Sequence, residues 1–257
     1  MTAPVEAKSP IQQRVEQFHV WCENLPPEQW LLYRGVMNEA LHRQIPFAIG
    51  GGMAAMAYAG QLRDTRDIDF YIQRQNRQAM IEVILDAGLL DYYDRAPYDR
   101  NWIFRGIQDD LIVDVIWAMA NQRAQVDPEW LNGPLVSVDG LTFRLLRPEE
   151  TLWTKLYVLQ RDRCDWPDAI NMLYSIGAEL DWAYLFSRTA EDTPLMAALV
   201  RAFRWICPDR YEELPSAILE RLSIADAAPE KGDCRQRARL LDSRPWFTPT
   251  LDKERRP

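Results

Sequence analysis

Two aspartates separated by one residue, Asp67 and Asp69, sit in the segment RDIDFYI. Its alternation reads as a β-strand. Side chains in a strand repeat every two residues, so both carboxylates leave one face while Ile68, Phe70 and Ile72 leave the other. Like charges on one sheet face repel, and a divalent cation held by hard oxygen ligands removes that repulsion. A solvated strand face, polar residues alternating with core residues, gives the same pattern. Upstream, Gly50-Gly51-Gly52 follows the apolar segment PFAI and precedes MAAMAYAG. Glycines at such a turn let the backbone approach a phosphate, and the helix that follows offers free N–H groups. One part can hold a triphosphate while the other holds the metal that bridges it. Asp114 interrupts the apolar run LIVDVIW. A carboxylate there costs several kcal/mol unless compensated. Either it pairs with an arginine such as Arg105, or it is a third metal ligand or a general base. Asp109 and Asp110, just ahead of it, read as turn residues.

These groups need a scaffold, and the pattern supplies one. Residues 1–9 read as a loose lead-in. Two helical patterns fill residues 10–44, separated by Pro26-Pro27. One apolar stripe is Phe18, Trp21, Cys22 and Leu25; the other is Trp30, Leu31, Val36, Met37 and Leu41. PFAI is a strand, MAAMAYA a helix stopped by Gly60, RDIDFYI a strand, and residues 76–87 a helix. WIFRG and LIVDVIW add two strands, and VSVDGLTFRLL adds a hairpin about Asp139-Gly140. After Pro148 the pattern is helical to about residue 222, with breaks near Pro167, Gly177, Pro194, Pro208 and Pro215. The chain then turns polar. This predicts an α+β fold in three parts: residues 1–147, a mixed sheet with flanking helices; 148–222, a helical half; and 223–257, a polar tail.

Within the helical half, residues 149–160 read as one helix with Leu152, Leu156 and Leu159 on its buried stripe. Lys155 falls at the edge of that stripe, either snorkelling to solvent or pointing into a cleft toward triphosphate. Arg161, Arg163, Asp165 and Asp168 follow as a charged turn whose default reading is surface ion pairs.

Composition narrows the functional classes. The chain has 257 residues, is 47% hydrophobic and 26% charged, and carries a net charge of −8. That is ordinary globular material, and its acidity argues against a protein that coats nucleic acid. Two histidines, His19 and His42, are too few for most histidine-based triads or metal centres, whereas 38 carboxylates favour hard-cation chemistry. Cys22, Cys164, Cys207 and Cys234 are scattered and read as reduced thiols. No membrane-spanning run and no secretory signal are visible, so a cytoplasmic location is expected.

The segment GGGMAAMAYAGQLRDTRDIDF resembles the signature of the nucleotidyltransferase superfamily, the DNA polymerase beta-like fold: a glycine turn, a short helix, then D-h-D on the next strand. The stretch 63–69 is similar to uncharacterised bacterial nucleotidyltransferases and AbiEii-type toxin relatives. RLLRPEETLWTKLYVLQRDRCDWPDAINML resembles the family's later element, in which Pro-Glu opens a helix carrying a lysine. The resemblance implies a Mg²⁺- or Mn²⁺-dependent transfer of a nucleoside monophosphate from an NTP to an acceptor hydroxyl on a small molecule, tRNA or protein, releasing pyrophosphate. It implies Asp67, Asp69 and Asp114 as catalytic metal ligands. Gly51, Gly52, Arg63, Thr65 and Lys155 would contact nucleotide, with Arg161 or Arg163 as a further phosphate contact. The alternative is a non-catalytic nucleotide-binding or antitoxin module on the same fold.

Overall fold

The computed structural model describes residues 9–60, 65–160 and 162–224. Three helices lead in: α1 (Pro10–Glu16), α2 (Phe18–Glu23) and α3 (Pro27–His42). Strand β1 (Phe47–Ile49) then enters helix α4 (Gly51–Ala59), and β2 (Asp67–Ile72) is followed by α5 (Arg77–Asp86). Strands β3 (Leu90–Asp91), β4 (Ile103–Gln108), β5 (Leu111–Ile116), β6 (Leu135–Val138) and β7 (Leu141–Leu145) complete one seven-stranded sheet, ordered β3-β4-β5-β2-β1-β7-β6. Pairs β2–β5 and β1–β7 are parallel; the others are antiparallel. The rest is helical: α6 (Pro148–Leu156), α7 (Trp166–Ile176), α8 (Trp182–Thr189), α9 (Thr193–Ile206), α10 (Pro208–Tyr211) and α11 (Ser216–Ile224). The expected mixed sheet with flanking helices and a helical C-terminal half is therefore the observed architecture.

Local chemistry explains most boundaries. Prolines stand in the first turns of α6, α7, α9 and α10, where the missing N–H costs nothing. Asp139 and Gly140 both have positive φ, 49° and 78°, as a tight hairpin between β6 and β7 requires. Asp109, at φ 54°, turns β4 into β5, in line with its reading as a turn residue.

Four local expectations change. The first helical pattern is two helices, broken at Gln17. On α3 the buried face is Gln29, Tyr33, Val36, Met37 and Ala40, whereas Leu31 is 70% exposed and Leu41 is exposed as well. Strand β3, two residues long, carries too little pattern to announce itself. Helix α6 stops at Leu156 instead of reaching residue 160, because the chain doubles back: Asp165 N–H donates to Val158 O (2.9 Å) and Gln160 N–H to Arg163 O (2.7 Å). That reversal shapes one wall of the site.

One continuous core runs from Val15 to Leu222. Helix α4 is buried on every side from Met53 to Ala59; its alanines let α6, α7 and β2 approach closely. Among the described residues, Cys22, Cys164 and Cys207 are free thiols, and no helix is long and apolar enough to cross a membrane. Cys234 and the polar tail beyond residue 224 lie outside the described residues.

Candidate active site

Strand register assembles the acids. Parallel pairing of β2 with β5 sets Asp69 opposite Asp114, and antiparallel pairing of β4 with β5 sets Arg105 opposite Asp114. Asp69, Asp114 and Arg105 thus form a row across three adjacent strands, with Asp67 two residues before Asp69 on the same face. Ile68, Phe70 and Ile72 are fully buried on the opposite face, as the alternation predicts.

The glycine turn is fitted to this row. Strand β1 runs antiparallel to β2, so its end meets the aspartates, and Gly50 N–H donates to Asp69 O (2.9 Å). Gly51 opens α4 with φ +57°, and a Cβ there would lie 1.7 Å from Asp69 Oδ2. Only glycine suits that position. The helix starts at the glycines themselves, so its first N–H groups stand beside the carboxylates.

The electrostatics are unbalanced. Burial, then Asp114, then Asp67 push the Asp69 carboxyl up to about 8, although the group keeps some solvent contact. Burial also raises Asp114, against the pull of Arg105. Arg105 grips Asp114 through both oxygens, Nε to Oδ1 at 2.7 Å and Nη2 to Oδ2 at 2.6 Å. The arginine partner considered for Asp114 is therefore present. Among the described residues, no group of three acidic, histidine or cysteine side chains is arranged to hold a metal. Asp67 and Asp69 do fit a hard cation: oxygen donors, adjacent on one face, with burial making the charge of Asp69 costly.

The remaining residues of interest divide. Thr65 does not line the cleft; its hydroxyl donates to Asp67 Oδ1, and buried Gln29 on α3 donates to Thr65 O at 2.6 Å. Lys155 neither snorkels nor stands free. It is 5% exposed and donates to Asp168 (2.8 Å) and Asp165 (3.3 Å). In the charged turn after α6, buried Lys155 thus pairs with partly buried Asp165 and Asp168, while Arg163 is exposed. Burial opposes ionisation of Asp165, yet Arg163 and Lys155 hold it below the usual carboxylate range. Arg63 and Arg161 lie outside the described residues. Arg163 lines the cleft.

These groups surround one cleft of about 460 Å³. Gly51, Gly52, Lys155, Gln160 and Arg163 line one side; Trp102, Arg105, Ile116, Met119 and Asn121 line the other; the three aspartates lie between. Tyr71 also lines it. Its position two residues after Asp69 was the available signal, since the period that pairs the aspartates places Tyr71 on their face. Asp165 was read only as part of a charged surface turn, and nothing in the local pattern marks Trp102.

A glycine turn beside an Asp-x-Asp strand, with a third acid on the next strand and a lysine-bearing helix across a cleft, defines a nucleotidyltransferase class of protein. The chain belongs to the family described as "Nucleotidyl transferase of unknown function (DUF2204)", which it matches over residues 31–183. No curated protein matches it. Solved structures are similar in part. The antibiotic-resistance factor ANT(2'')-Ia is 22% identical over 67% of this chain and 95% of its own, with a TM-score of 0.47. The lincosamide antibiotic adenylyltransferase LnuA, lincomycin-bound, is 16% identical over 58% of this chain and 97% of its own, with a TM-score of 0.42. JHP933 from Helicobacter pylori is 15% identical over 79% and 91%, with a TM-score of 0.39.

Proposed function

We propose that this nucleotidyltransferase moves a nucleoside monophosphate from an NTP to an acceptor hydroxyl in the cleft between β2–β5 and α6. The observation that carries the reading is the fit of Gly51 against Asp69, which joins a phosphate-cradling turn to a carboxylate pair. Asp67 and Asp69 would hold Mg²⁺ or Mn²⁺, which when bound supplies positive charge to the triphosphate. The N–H groups at the start of α4 donate to phosphate oxygens. Lys155 and Arg163, paired with Asp165 and Asp168, line the glycine side of the cleft and would offer hydrogen-bond donors to the triphosphate, and Thr65 orients Asp67. The acceptor oxygen forms a bond to the α-phosphorus, the bond to the β-phosphate bridging oxygen breaks, and pyrophosphate leaves. Asp114, the least exposed of the three acids, would take the proton of the acceptor hydroxyl on a lone pair outside its contact with Arg105.

The acidic chain and the aspartates at the cleft favour a small molecule or protein acceptor over tRNA, because a polyanion would meet like charge. A second reading, a nucleotide-binding module without turnover, is favoured by the capture of Asp114 by Arg105. Incubation with each of four labelled NTPs, Mg²⁺ or Mn²⁺ and a cell extract separates the two. Transfer of label that disappears in folded Asp67→Asn and Asp69→Asn proteins supports catalysis. Metal-dependent NTP binding without transfer supports the module. Undiminished transfer by Asp69→Asn refutes the site.

A further inference from the structure

We propose that Arg105 takes the place of a second divalent cation, so that this site works with one ion, on Asp67 and Asp69. The inference rests on the nucleotide-transfer reading above. Its starting point is the row across three strands: Asp69, Asp114 and Arg105 occupy directly opposed positions, so register fixes the backbone from which the guanidinium reaches Asp114. The Arg105–Asp114 contact is bidentate, at 2.7 and 2.6 Å, and Asp114 is only 3% exposed. Two-ion clamps stabilise both the attacking and leaving oxygens with ions about 3.5–4 Å apart. Both Asp114 oxygens, the ones such an ion would need, already accept hydrogen bonds.

Arg105 is itself anchored. Its backbone N–H donates to Tyr98 Oη (2.9 Å), Tyr98 donates onward to Asp91 Oδ1 (3.2 Å), and the guanidinium lies 5.6 Å from the centre of the Tyr92 ring. A guanidinium does not lose its proton in a protein, so this positive charge is permanent. Across the cleft, Lys155 and Arg163 balance Asp165 and Asp168, so that cluster demands no further cation.

The test is a count of bound ions. The full chain is titrated with Mn²⁺ in the presence of non-hydrolysable α,β-methylene analogues of the four NTPs. Free Mn²⁺ is followed by electron paramagnetic resonance, and the bound signal is inspected for coupling between neighbouring ions. The wild type is expected to bind one uncoupled Mn²⁺ per chain. Arg105→Met, with its fold checked by circular dichroism, is expected to bind a second Mn²⁺ coupled to the first. Two coupled ions in the wild type overturn the assignment while leaving the nucleotide-transfer reading intact. A folded Arg105→Met protein that still binds one ion also overturns it. Should that variant fail to fold, the wild-type count decides by itself. Failure of Mn²⁺ to bind with any analogue overturns the nucleotide reading and this assignment with it.

Discussion

Replacing Lys155 with methionine separates two jobs that one ammonium group can do. Methionine preserves the unbranched stem and removes the charge. Lys155 is 5% exposed, and its partners Asp165 and Asp168 are 13% and 19% exposed, so the substitution leaves carboxylates in a poorly solvated place. Removing one partner of a buried ion pair costs about 3–5 kcal/mol. Arg163 keeps two 3.1 Å contacts with Asp165, which trims the expected loss to about 3 kcal/mol. For a chain of this size that lowers Tm by roughly 6–12 °C. Thermal and urea melts of Lys155→Met, Asp168→Asn and the double variant measure it. The double variant is expected to recover about 1 kcal/mol or more, since a neutral amide no longer needs the cation. Transfer assayed well below Tm then reads the second job: loss of a charge-assisted phosphate contact is worth roughly tenfold to a hundredfold in kcat/KM. A Tm within about 2 °C of wild type would refute the buried-pair reasoning. Unchanged kcat/KM in a folded variant would confine Lys155 to holding the α6–α7 turn.

Gly51→Ala places a methyl group on Asp69 Oδ2 at a positive φ; it is expected to lose at least about 1–2 kcal/mol and to abolish any thermal shift produced by Mn²⁺ plus nucleotide. Thr65→Val frees the Asp67 carboxylate and is expected to raise KM for NTP by roughly threefold to tenfold, the value of one hydrogen bond, with kcat less affected. Glu150, fully buried, is pushed up to about 7 by burial, although Tyr184 and Arg188 pull it down. A carboxyl raised in the folded state favours folding below its unfolded pKa and loses that contribution as pH rises to the folded value. Urea unfolding free energy should therefore fall by up to about 3 kcal/mol between pH 4.5 and 7, and Glu150→Gln should flatten the slope. A wild-type profile that rises over this interval would contradict the assignment.

The residues legible in the sequence were those whose placement follows from a strand's two-residue period. Asp67 and Asp69 on one face, Ile68, Phe70 and Ile72 on the other, and Asp114 inside an apolar strand all needed only local rules. The Asp139-Gly140 hairpin and the proline-led helices were equally local. What escaped depended on contacts between distant segments. Whether Asp114 would face Arg105 was a matter of β4–β5 register, and both possibilities were open. Lys155 is buried because α6 ends early and α7 folds back beneath it, so its stripe-edge position did not reveal the acids that would enclose it. Leu31 and Leu41 took part in a plausible helical stripe, yet tertiary packing turned α3 toward Tyr33 and Ala40 instead.

The two parallel pairings in the sheet bear on when the protein can first do anything. Strand β1 gains its outer neighbour only through Ala48↔Arg144 and Ile49↔Leu145, and Asp69 meets Asp114 only after the chain has crossed over through α5, β3 and β4. Such non-local pairings are slow to form, because loop closure must precede the contacts that reward it. During synthesis the glycine turn and the Asp-x-Asp strand emerge early, yet beyond pairing with each other they gain no neighbouring strand until much more of the chain has left the ribosome. The wall bearing Lys155 and Arg163 comes later still. A nascent chain therefore carries the site's most recognisable segment without a cleft, and for that interval the outer edge of β1 is bare and open to pairing with another chain. Nucleotide cannot help this site to fold until nearly all of it has been made.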